Sequence, residues 1–308
     1  MADLQTVVDE IVEDIRALED HGEVSKTIEK LGEADPDAFG IAVATADGET
    51  IVGGDSETPF SIQSISKVFA LILALEHHGE AVFERVGREP SGDPFNSIID
   101  LERQKGIPRN PFINAGALVV VDMLLGDGLK TGIDDNVRDL LVRMIGEENI
   151  GIDEAVYSSE AGSAYRNQAL ANFAKASGNL NHEVDAVIEH YTKQCAVALC
   201  CRQLAQSGRI LMHGGKDPVS GHRFETKAHA RRVLSLMLTC GQYDGAGDFA
   251  YRVGLPAKSG IAGGILAIVP DRASIAVWSP GLDPAGNSFR GVKALEMLSE
   301  RMRWSVFD

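Results

Sequence analysis

The sequence predicts a mixed fold, of the α+β or α/β class, in which strands near both ends of the chain flank a large helical block. Strand-like stretches at 39–45 and 50–52 enclose Asp47-Gly48, a dipeptide typical of tight hairpin turns. Two more apolar, strand-like stretches lie at 260–269 and 274–278. Strands at both ends most simply join one antiparallel sheet, so we expect the helical block to be an insertion beside that sheet.

Two helices are predicted ahead of this hairpin. The first covers 4–19, where apolar residues recur at helical spacing and acids occupy the opposite face. The second covers 24–31, and Pro36 follows it. After the hairpin, a turn rich in Gly, Asp and Ser leads to the run 68–75. That run is apolar throughout and lacks Gly and Pro, which predicts a buried helix.

The helical block is predicted to contain eight helices separated by turns. They cover 68–78, 111–125, 135–145, 153–161, 165–177, 183–201, 228–239 and 247–253. Ser288 is expected to cap a last amphipathic helix. We therefore expect a single domain, 1–308, composed of a sheet subdomain (about 1–66 plus 255–308) and a helical subdomain (67–254). A site is expected in the cleft between them.

The composition argues against several classes of partner. The 308 residues carry a formal net charge of −16, which is unfavourable for binding nucleic acid or an anionic membrane. No apolar run approaches the roughly 20 residues of a transmembrane helix. The first residues lack the basic and apolar regions of a signal peptide. These features predict a soluble, cytoplasmic protein.

The cysteines indicate free thiols rather than disulfides or a metal site. Two of the four are adjacent and three lie in an apolar helical stretch, so buried thiols in a reducing compartment are expected: Cys195, Cys200, Cys201 and Cys240. The sequence contains no Cys-x-x-Cys pair and no His-Glu-x-x-His motif. It therefore predicts no metal and no cofactor.

Ser64 and Lys67 stand three residues apart at the start of the predicted buried helix, so their side chains share one helical face. A lysine in an apolar wall has a lowered pKa and can take the proton of a serine hydroxyl. Unpaired N–H groups at the helix start would favour an oxyanion. The alternative is a chance Ser-x-x-Lys with a capping serine and a solvated lysine, which the apolar residues after Lys67 argue against.

A second triplet, Lys258-Ser259-Gly260, opens a strand after the helical block. On its own it could be an ordinary loop. A hairpin, a Ser-x-x-Lys helix start, a helical insertion and a Lys-Ser/Thr-Gly strand, in this order, resemble the plan of the serine β-lactamases and penicillin-binding proteins. The resemblance implies a β-lactamase-like fold of the Ser-x-x-Lys serine hydrolases.

The match to a narrower family is closer and spans nearly the whole chain. The motifs that resemble the serine-dependent glutaminases are Gln63-Ser64-Ile65-Ser66-Lys67, Asn110-Pro111-Phe112-Ile113-Asn114-Ala115-Gly116-Ala117, Cys240-Gly241-Gln242-Tyr243-Asp244, the stretch from Gly254 to Ile265, Trp278-Ser279-Pro280 and Gly286-Asn287-Ser288. The resemblance implies that the protein hydrolyses L-glutamine to glutamate and ammonia. It also implies a homo-oligomer, a dimer or a tetramer.

The resemblance further implies the roles of individual residues. Ser64 would attack the side-chain amide, Lys67 would accept its proton, and the N–H groups of Ser64 and Ile261 would hold the oxyanion. Lys258 joins this catalytic set. We expect Tyr243 to transfer a proton to the leaving ammonia and Tyr191 to contact the substrate. A phenol close to two lysines could have a lowered pKa.

The same resemblance implies contacts to the two ends of free glutamine. Glu160 would bind the α-ammonium group, because an ammonium needs a carboxylate partner. The implied amide contacts are Gln63, Asn114 and Asn167. Judged without the resemblance, Glu160 would be taken for a solvated surface acid, and each tyrosine could as well be a core residue.

Two other functions stay open at this stage. A β-lactamase or peptidase on the same scaffold is disfavoured by the absence of an export signal. A non-catalytic binding relative would be expected to have lost Ser64, Lys67 or Lys258, and all three are present. Ser177-Gly178-Asn179 resembles the Ser-x-Asn element of penicillin-binding proteins, but it directly follows a predicted helix, so a glycine helix stop explains it better.

Overall fold

The structure is a computed structural model that describes residues 3–92, 96–127, 137–223 and 227–308. Its strands are β1 (Glu23–Val24), β2 (Gly40–Thr45), β3 (Thr50–Gly54), β4 (Phe60–Ser61), β5 (Ala198–Leu199), β6 (Ala257–Ser259), β7 (Gly264–Val269), β8 (Ala273–Trp278) and β9 (Gly281–Leu282). Five of them form one antiparallel sheet in the order β3-β2-β8-β7-β6. Strands from near the two ends of the chain therefore pair directly, for example Gly40 with Trp278.

The helices are α1 (Leu4–Arg16), α2 (Ser66–His78), α3 (Val82–Arg85), α4 (Ile99–Arg103), α5 (Asn114–Asp127), α6 (Val137–Ile145), α7 (Glu154–Ala161), α8 (Tyr165–Ala176), α9 (Val184–Cys195), α10 (Cys201–Ser207), α11 (Arg209–Met212), α12 (Lys227–Cys240), α13 (Ala246–Arg252) and α14 (Phe289–Met302). Short 3₁₀ helices cover Glu29–Glu33, Gln63–Ile65, Gly79–Ala81 and Tyr243–Gly245. Among the described helices, none combines the length and apolar character needed to cross a bilayer.

Helices cover both faces of the sheet. Successive side chains of a strand point to opposite faces. Ile41 and Ile275 therefore pack in one layer with α1 and α14, whereas Ala42 and Ala276 pack in the other layer with α10. Because both layers are buried, the central strands are apolar at nearly every position. The mixed α/β class predicted from the sequence is confirmed.

Helix α2 lies at the centre of the helical layer. Its residues from Ser66 to Leu75 are all buried, and it packs against α5, α6 and α12. The edge strand β6 contacts the 3₁₀ turn Gln63–Ile65 that leads into α2. This contact brings the Lys-Ser-Gly triplet to the start of the buried helix.

Most of the predicted helices are present with ends shifted by a few residues, and the start of the one predicted at 135–145 lies partly outside the described residues. The helix predicted at 24–31 is wrong. There the chain forms β1, which pairs with β9, and then a 3₁₀ helix at Glu29–Glu33. Ile28 and Leu31 pack against Val156 and Ala196, so the apolar spacing reflects burial rather than an α-helix.

The single helix predicted at 183–201 is also wrong. Helix α9 ends at Cys195, the chain becomes strand β5, which pairs with β4, and α10 then begins at Cys201. The strand predicted at 260–269 begins only at Gly264, because 260–263 form a turn in which Gly263 N–H donates to the Gly260 carbonyl. Apolar runs are ambiguous between helix and strand when pairing partners are distant in sequence.

Three local predictions are confirmed. The four cysteines are free and buried. The Ser288 side chain accepts from Gly291 N–H and caps α14. Gly178 adopts φ +78° just after α8, and its N–H donates to the Lys175 carbonyl, so Ser177-Gly178-Asn179 is a helix stop.

Candidate active site

The Ser64 side chain lies in the 3₁₀ turn before α2, and Lys67 lies in the first turn of α2. Both are buried, with exposed fractions of 7% and 1%. The Lys67 Nζ donates to Asn114 Oδ1 at 2.7 Å and to the Phe112 carbonyl at 3.3 Å. The residue before the serine, Gln63, has φ +48°, a left-handed conformation that turns the chain sharply at this point.

Burial lowers the pKa of Lys67 to about 8, although the nearby acidic groups of Cys195 and Glu160 oppose this shift. The prediction of a lysine with a lowered pKa in an apolar wall is therefore confirmed. An amine of this pKa is neutral in a useful fraction of molecules near neutral pH. Such an amine can accept a proton from a hydroxyl.

Lys258 and Tyr243 pack against each other, and Tyr243 contacts the serine. Lys258 is wholly buried in β6, and its Nζ is 4.3 Å from the centre of the Tyr243 ring. Both Lys258 Nζ and Tyr243 Oη donate to the Ser259 carbonyl, at 2.7 Å and 3.2 Å. The Tyr243 hydroxyl is also hydrogen-bonded to the Ser64 side chain. The structure thus brings Ser64, Lys67, Lys258 and Tyr243 together.

The expectation that Tyr243 has a lowered pKa is wrong. Burial raises the pKa of Tyr243 above its usual value, and the hydrogen bond with Ser64 opposes this only in part. Burial likewise raises the pKa of Tyr191. Burial also drives the pKa of Lys258 well below its usual value, with the Lys67 charge lowering it further, so Lys258 supplies little positive charge to stabilise a phenolate. Both tyrosines therefore remain protonated donors.

Glu160 is a buried carboxylate at the end of α7. Burial raises its pKa to about 7, while a hydrogen bond from Gln63 and the charge of Lys67 oppose that shift. Its Oε2 atom has no hydrogen-bond partner among the described residues. A buried carboxylate oxygen without a donor is where a cation or another donor can bind.

Side-chain amides connect this carboxylate region to the lysine. Asn114, at the start of α5, donates through Nδ2 to Asn167 Oδ1 at 2.9 Å and accepts from Tyr191 Oη at 3.4 Å. Asn167 belongs to α8, which is separated from α7 by a turn at 162–164. Glu160 and Asn167 therefore reach the site from two helices, not from one continuous face.

The turn 260–263 carries Ile261 at its second position. The Ile261 N–H donates to no group among the described residues, so it is available to a ligand. A Cβ atom on Gly260 would lie 2.6 Å from the Ile62 carbonyl, so only glycine allows the turn to approach the chain before Ser64. Trp278 Nε1 donates to the Ala262 carbonyl at 3.0 Å and holds the turn.

Three groups near the lysines were not predicted from the sequence. Two are main-chain carbonyls, of Phe112 and Ser259, and backbone oxygens leave no signature in residue identity. The third is the Cys195 thiol, which lies 3.9 Å from Ser66 Oγ. Burial raises the pKa of this thiol.

Asn110 belongs to the Asn-Pro-Phe-Ile-Asn motif. Its Oδ1 accepts from the N–H groups of Phe112 and Ile113 and so orients that loop.

Comparisons with known proteins agree on one family. The glutaminase family model matches residues 22–307. A glutaminase of Methylobacterium sp. (strain 4-46) is 55% identical over 307 residues, covering 100% of this chain and 99% of the relative. A glutaminase of Rhodopseudomonas palustris (strain BisB18) is 52% identical over 307 residues, with coverage of 100% and 99%.

A solved structure is similar along its whole length. The probable glutaminase from Bacillus subtilis complexed with 6-diazo-5-oxo-L-norleucine has a TM-score of 0.87 and 34% identity, covering 100% of this chain and 97% of that one. This similarity and the sequence matches concern the entire fold and not a fragment. The chain belongs to the glutaminase family and hydrolyses the side-chain amide of glutamine.

Proposed function

We propose that this protein hydrolyses L-glutamine through an acyl-enzyme on Ser64. The Ser64 hydroxyl attacks the side-chain carbonyl carbon, and Lys67 accepts its proton, directly or through the Tyr243 hydroxyl. The observation that carries the proposal is the buried Lys67 amine with a pKa near 8, one helical turn from a buried serine. A base of this pKa suits reaction near neutral pH.

The N–H groups of Ser64 and Ile261 stabilise the oxyanion that forms on the attacked carbonyl. The first belongs to a helix start, where N–H groups have no helical acceptor, and the second lies in the 260–263 turn. A fixed pair of donors lowers the barrier because it needs no reorganisation during the reaction. The close approach that Gly260 permits supports this placement.

Collapse of the tetrahedral intermediate breaks the carbon–nitrogen bond, and the nitrogen must gain a proton to leave as ammonia. Tyr243 starts protonated because burial raises its pKa, so it can donate this proton to the nitrogen and regain one from the protonated Lys67. Lys258 fixes the phenol from the face of its ring. Water then attacks the γ-glutamyl ester, and glutamate leaves Ser64 free.

Free glutamine is selected at the other end of the site. The α-ammonium group binds the unpartnered oxygen of Glu160. The α-carboxylate accepts from amide and hydroxyl donors, which Asn114, Asn167, Tyr191 and Gln63 supply. Because Glu160 is buried, an unpaired charge there is costly, and an amide that lacks an α-ammonium group is rejected.

We also propose that the protein is a single domain with a β-lactamase-like fold of the Ser-x-x-Lys hydrolases. Residues 1–66 and 255–308 form the sheet subdomain, and 67–254 form the inserted helical subdomain. The pairing of β2 with β8, across more than 200 residues of chain, supports this division. A cytoplasmic homo-oligomer, dimeric or tetrameric, is part of the same proposal.

The test is to label the enzyme with 6-diazo-5-oxo-L-norleucine, a reactive glutamine analogue, and to locate the adduct by peptide mass spectrometry. We expect one adduct, on Ser64, and protection by glutamate. Ammonia release is measured in parallel over a panel of amides and a chromogenic cephalosporin. An adduct on another residue, or faster turnover of the cephalosporin than of glutamine, would contradict the proposal.

A further inference from the structure

The chain segment before Tyr243 lies directly against strand β6. Ser259 N–H donates to the Gly241 carbonyl at 3.2 Å. A Cβ atom on Gly241 would lie 1.7 Å from the Ala257 carbonyl, so only glycine permits this approach. The segment that leads into Tyr243 and the strand β6 that carries Lys258 are therefore joined by main-chain contact.

The Gln242 side chain adds a second connection. It is 1% exposed, and its Oε1 accepts from Ser259 Oγ at 2.6 Å. Its main-chain carbonyl accepts from Asn287 Nδ2 at 3.2 Å and from Gly245 N–H at 2.9 Å. The residue is thus held at both ends, by the strand on one side and by the loop before α14 on the other.

This double attachment matters because the next residue has a strained backbone. Tyr243 has φ +50°, which a bulky residue adopts only when its surroundings impose it. Ser259 contacts both Gln242 and the reacting groups. Its hydroxyl donates to Gln242 Oε1, while its carbonyl accepts from both Tyr243 Oη and Lys258 Nζ. Ser259 in β6 therefore connects the Gln242 side chain to the side chains of Tyr243 and Lys258.

Gln242 is a poor choice for stability alone. Its Nε2 is buried without a partner among the described residues, and so is Oδ1 of Asn287. An apolar side chain of the same shape would avoid this cost of desolvation. The amide therefore points to a role in geometry.

We propose that Gln242 is a positioning residue of the reaction: through Ser259 it fixes the Tyr243 hydroxyl and the Lys258 amine relative to Ser64. The proposal rests on the acyl-enzyme function above. In this proposal the positioning depends on one hydrogen bond, which Ser259 Oγ donates to Gln242 Oε1. The substrate-binding groups at Glu160 and Asn167 lie outside this connection.

The test is a double-mutant cycle in the full-length enzyme, with Gln242→Met and Ser259→Ala. Each single change should lower kcat by about 10- to 100-fold, the scale expected of a small misplacement of reacting groups. KM should stay within about threefold. Because both changes remove the same hydrogen bond, the double variant should be no slower than the slower single variant. Ser259→Thr, which keeps the hydroxyl, should restore most of kcat.

Controls separate positioning from loss of folding. Each variant is assayed for glutamate affinity and melting temperature, and Gln206→Met, a change at a half-buried glutamine that bonds Arg202 instead, should leave kcat unchanged. Multiplicative losses in the double variant, full activity of Gln242→Met, or no rescue by Ser259→Thr would overturn the proposal. Ser64→Ala is measured alongside: if it keeps its activity the proposed function fails, whereas an inactive Ser64→Ala beside a fully active Gln242→Met refutes only the positioning role.

Discussion

The Nζ of Lys67 lies 2.7 Å from Oδ1 of Asn114, within the same buried site as Ser64. An amide oxygen accepts from the amine in either protonation state without adding a charge, since a neutral amine still has two hydrogens to donate. The Asn114 amide therefore orients Lys67 and leaves its low pKa intact. A carboxylate at this position would hold the lysine protonated.

The first prediction concerns the identity of the base. Lys67→Arg keeps a positive, hydrogen-bonding side chain, but guanidinium does not lose its proton in proteins. We expect kcat to fall by about 10²- to 10⁴-fold, the usual contribution of a general base. Ammonia release in a coupled assay measures it, with circular dichroism as the check on folding. A variant within tenfold of the native rate would show that residue 67 is not the base.

The second prediction is the pH profile. Lys67 must be neutral to accept a proton, and burial lowers its pKa to about 8, so kcat/KM should rise with pH and level off above about 8. Replacing Asn114 by Asp places a negative charge beside Nζ and should move this limb to higher pH. Initial rates between pH 6 and 10 measure the limb. A profile that is flat from pH 6 to 9 contradicts the assignment.

The third prediction links substrate binding to Glu160. The pKa of this carboxyl is raised to about 7 in the empty site, so at lower pH it is largely protonated and neutral. An α-ammonium group binds the ionised form, and glutamate affinity should therefore increase as pH rises through 7. Calorimetric titrations in two buffers should also show proton release at pH 6.5. In Glu160→Gln the affinity should drop and lose this pH dependence; an unchanged profile would remove Glu160 from the site.

The same carboxyl affects stability. Its folded pKa lies above its usual value of 4.5, so between about pH 4.5 and 7 the folded state binds more protons than the unfolded state. Stability contributed by this group is therefore present at low pH and is lost as pH rises through 7. Compared with Glu160→Gln, the empty native enzyme should lose stability over this interval. Urea unfolding at pH 5.5 and 7.5 measures the difference, and a native enzyme that gains stability relative to the variant contradicts it.

The fourth prediction tests the glycine turn next to Ser64. In Gly260→Ala the new Cβ would meet the Ile62 carbonyl at 2.6 Å, which displaces the Ile261 N–H. We expect at least a 100-fold loss of kcat, comparable to losing one oxyanion donor. Gly247→Ala is the matched control: its Cβ meets nothing within 4 Å, and in helix α13 the change should stabilise by up to about 1 kcal/mol. Normal kcat in Gly260→Ala would separate this turn from catalysis.

The sequence predicts the parts of this fold whose signals are local. The hairpin at Asp47-Gly48 and the buried helix after Ser64 follow from turn chemistry and continuous apolarity. The errors at 24–31 and 183–201 occur where two-residue strands pair with distant chain, β1 with β9 and β5 with β4. A short apolar run does not indicate which distant segment it pairs with, so its sequence cannot distinguish a strand from a helix.

The site divides in the same way. The spacing of Ser64 and Lys67 predicts a nucleophile and its base, because the apolar helix that follows implies a buried lysine. Burial of Glu160 depends on helices far apart in sequence, so only the family resemblance singled it out. The pKa shift of Tyr243 is opposite to the one that the sequence predicts, because burial raises the phenol pKa and also lowers the pKa of Lys258, whose charge would otherwise oppose it. The roles assigned to these residues remain predictions.

The central claim is that the Ser64 hydroxyl forms the covalent bond to the substrate. The most direct measurement is ammonia release by Ser64→Ala, compared with Ser66→Ala, which removes a buried hydroxyl two residues away that contacts Cys195. We predict that Ser64→Ala loses at least about 10³-fold in kcat, on the scale of removing a nucleophile, while it still binds glutamate and Ser66→Ala stays within tenfold of the native rate. A Ser64→Ala enzyme that retains a tenth or more of native turnover would contradict the account.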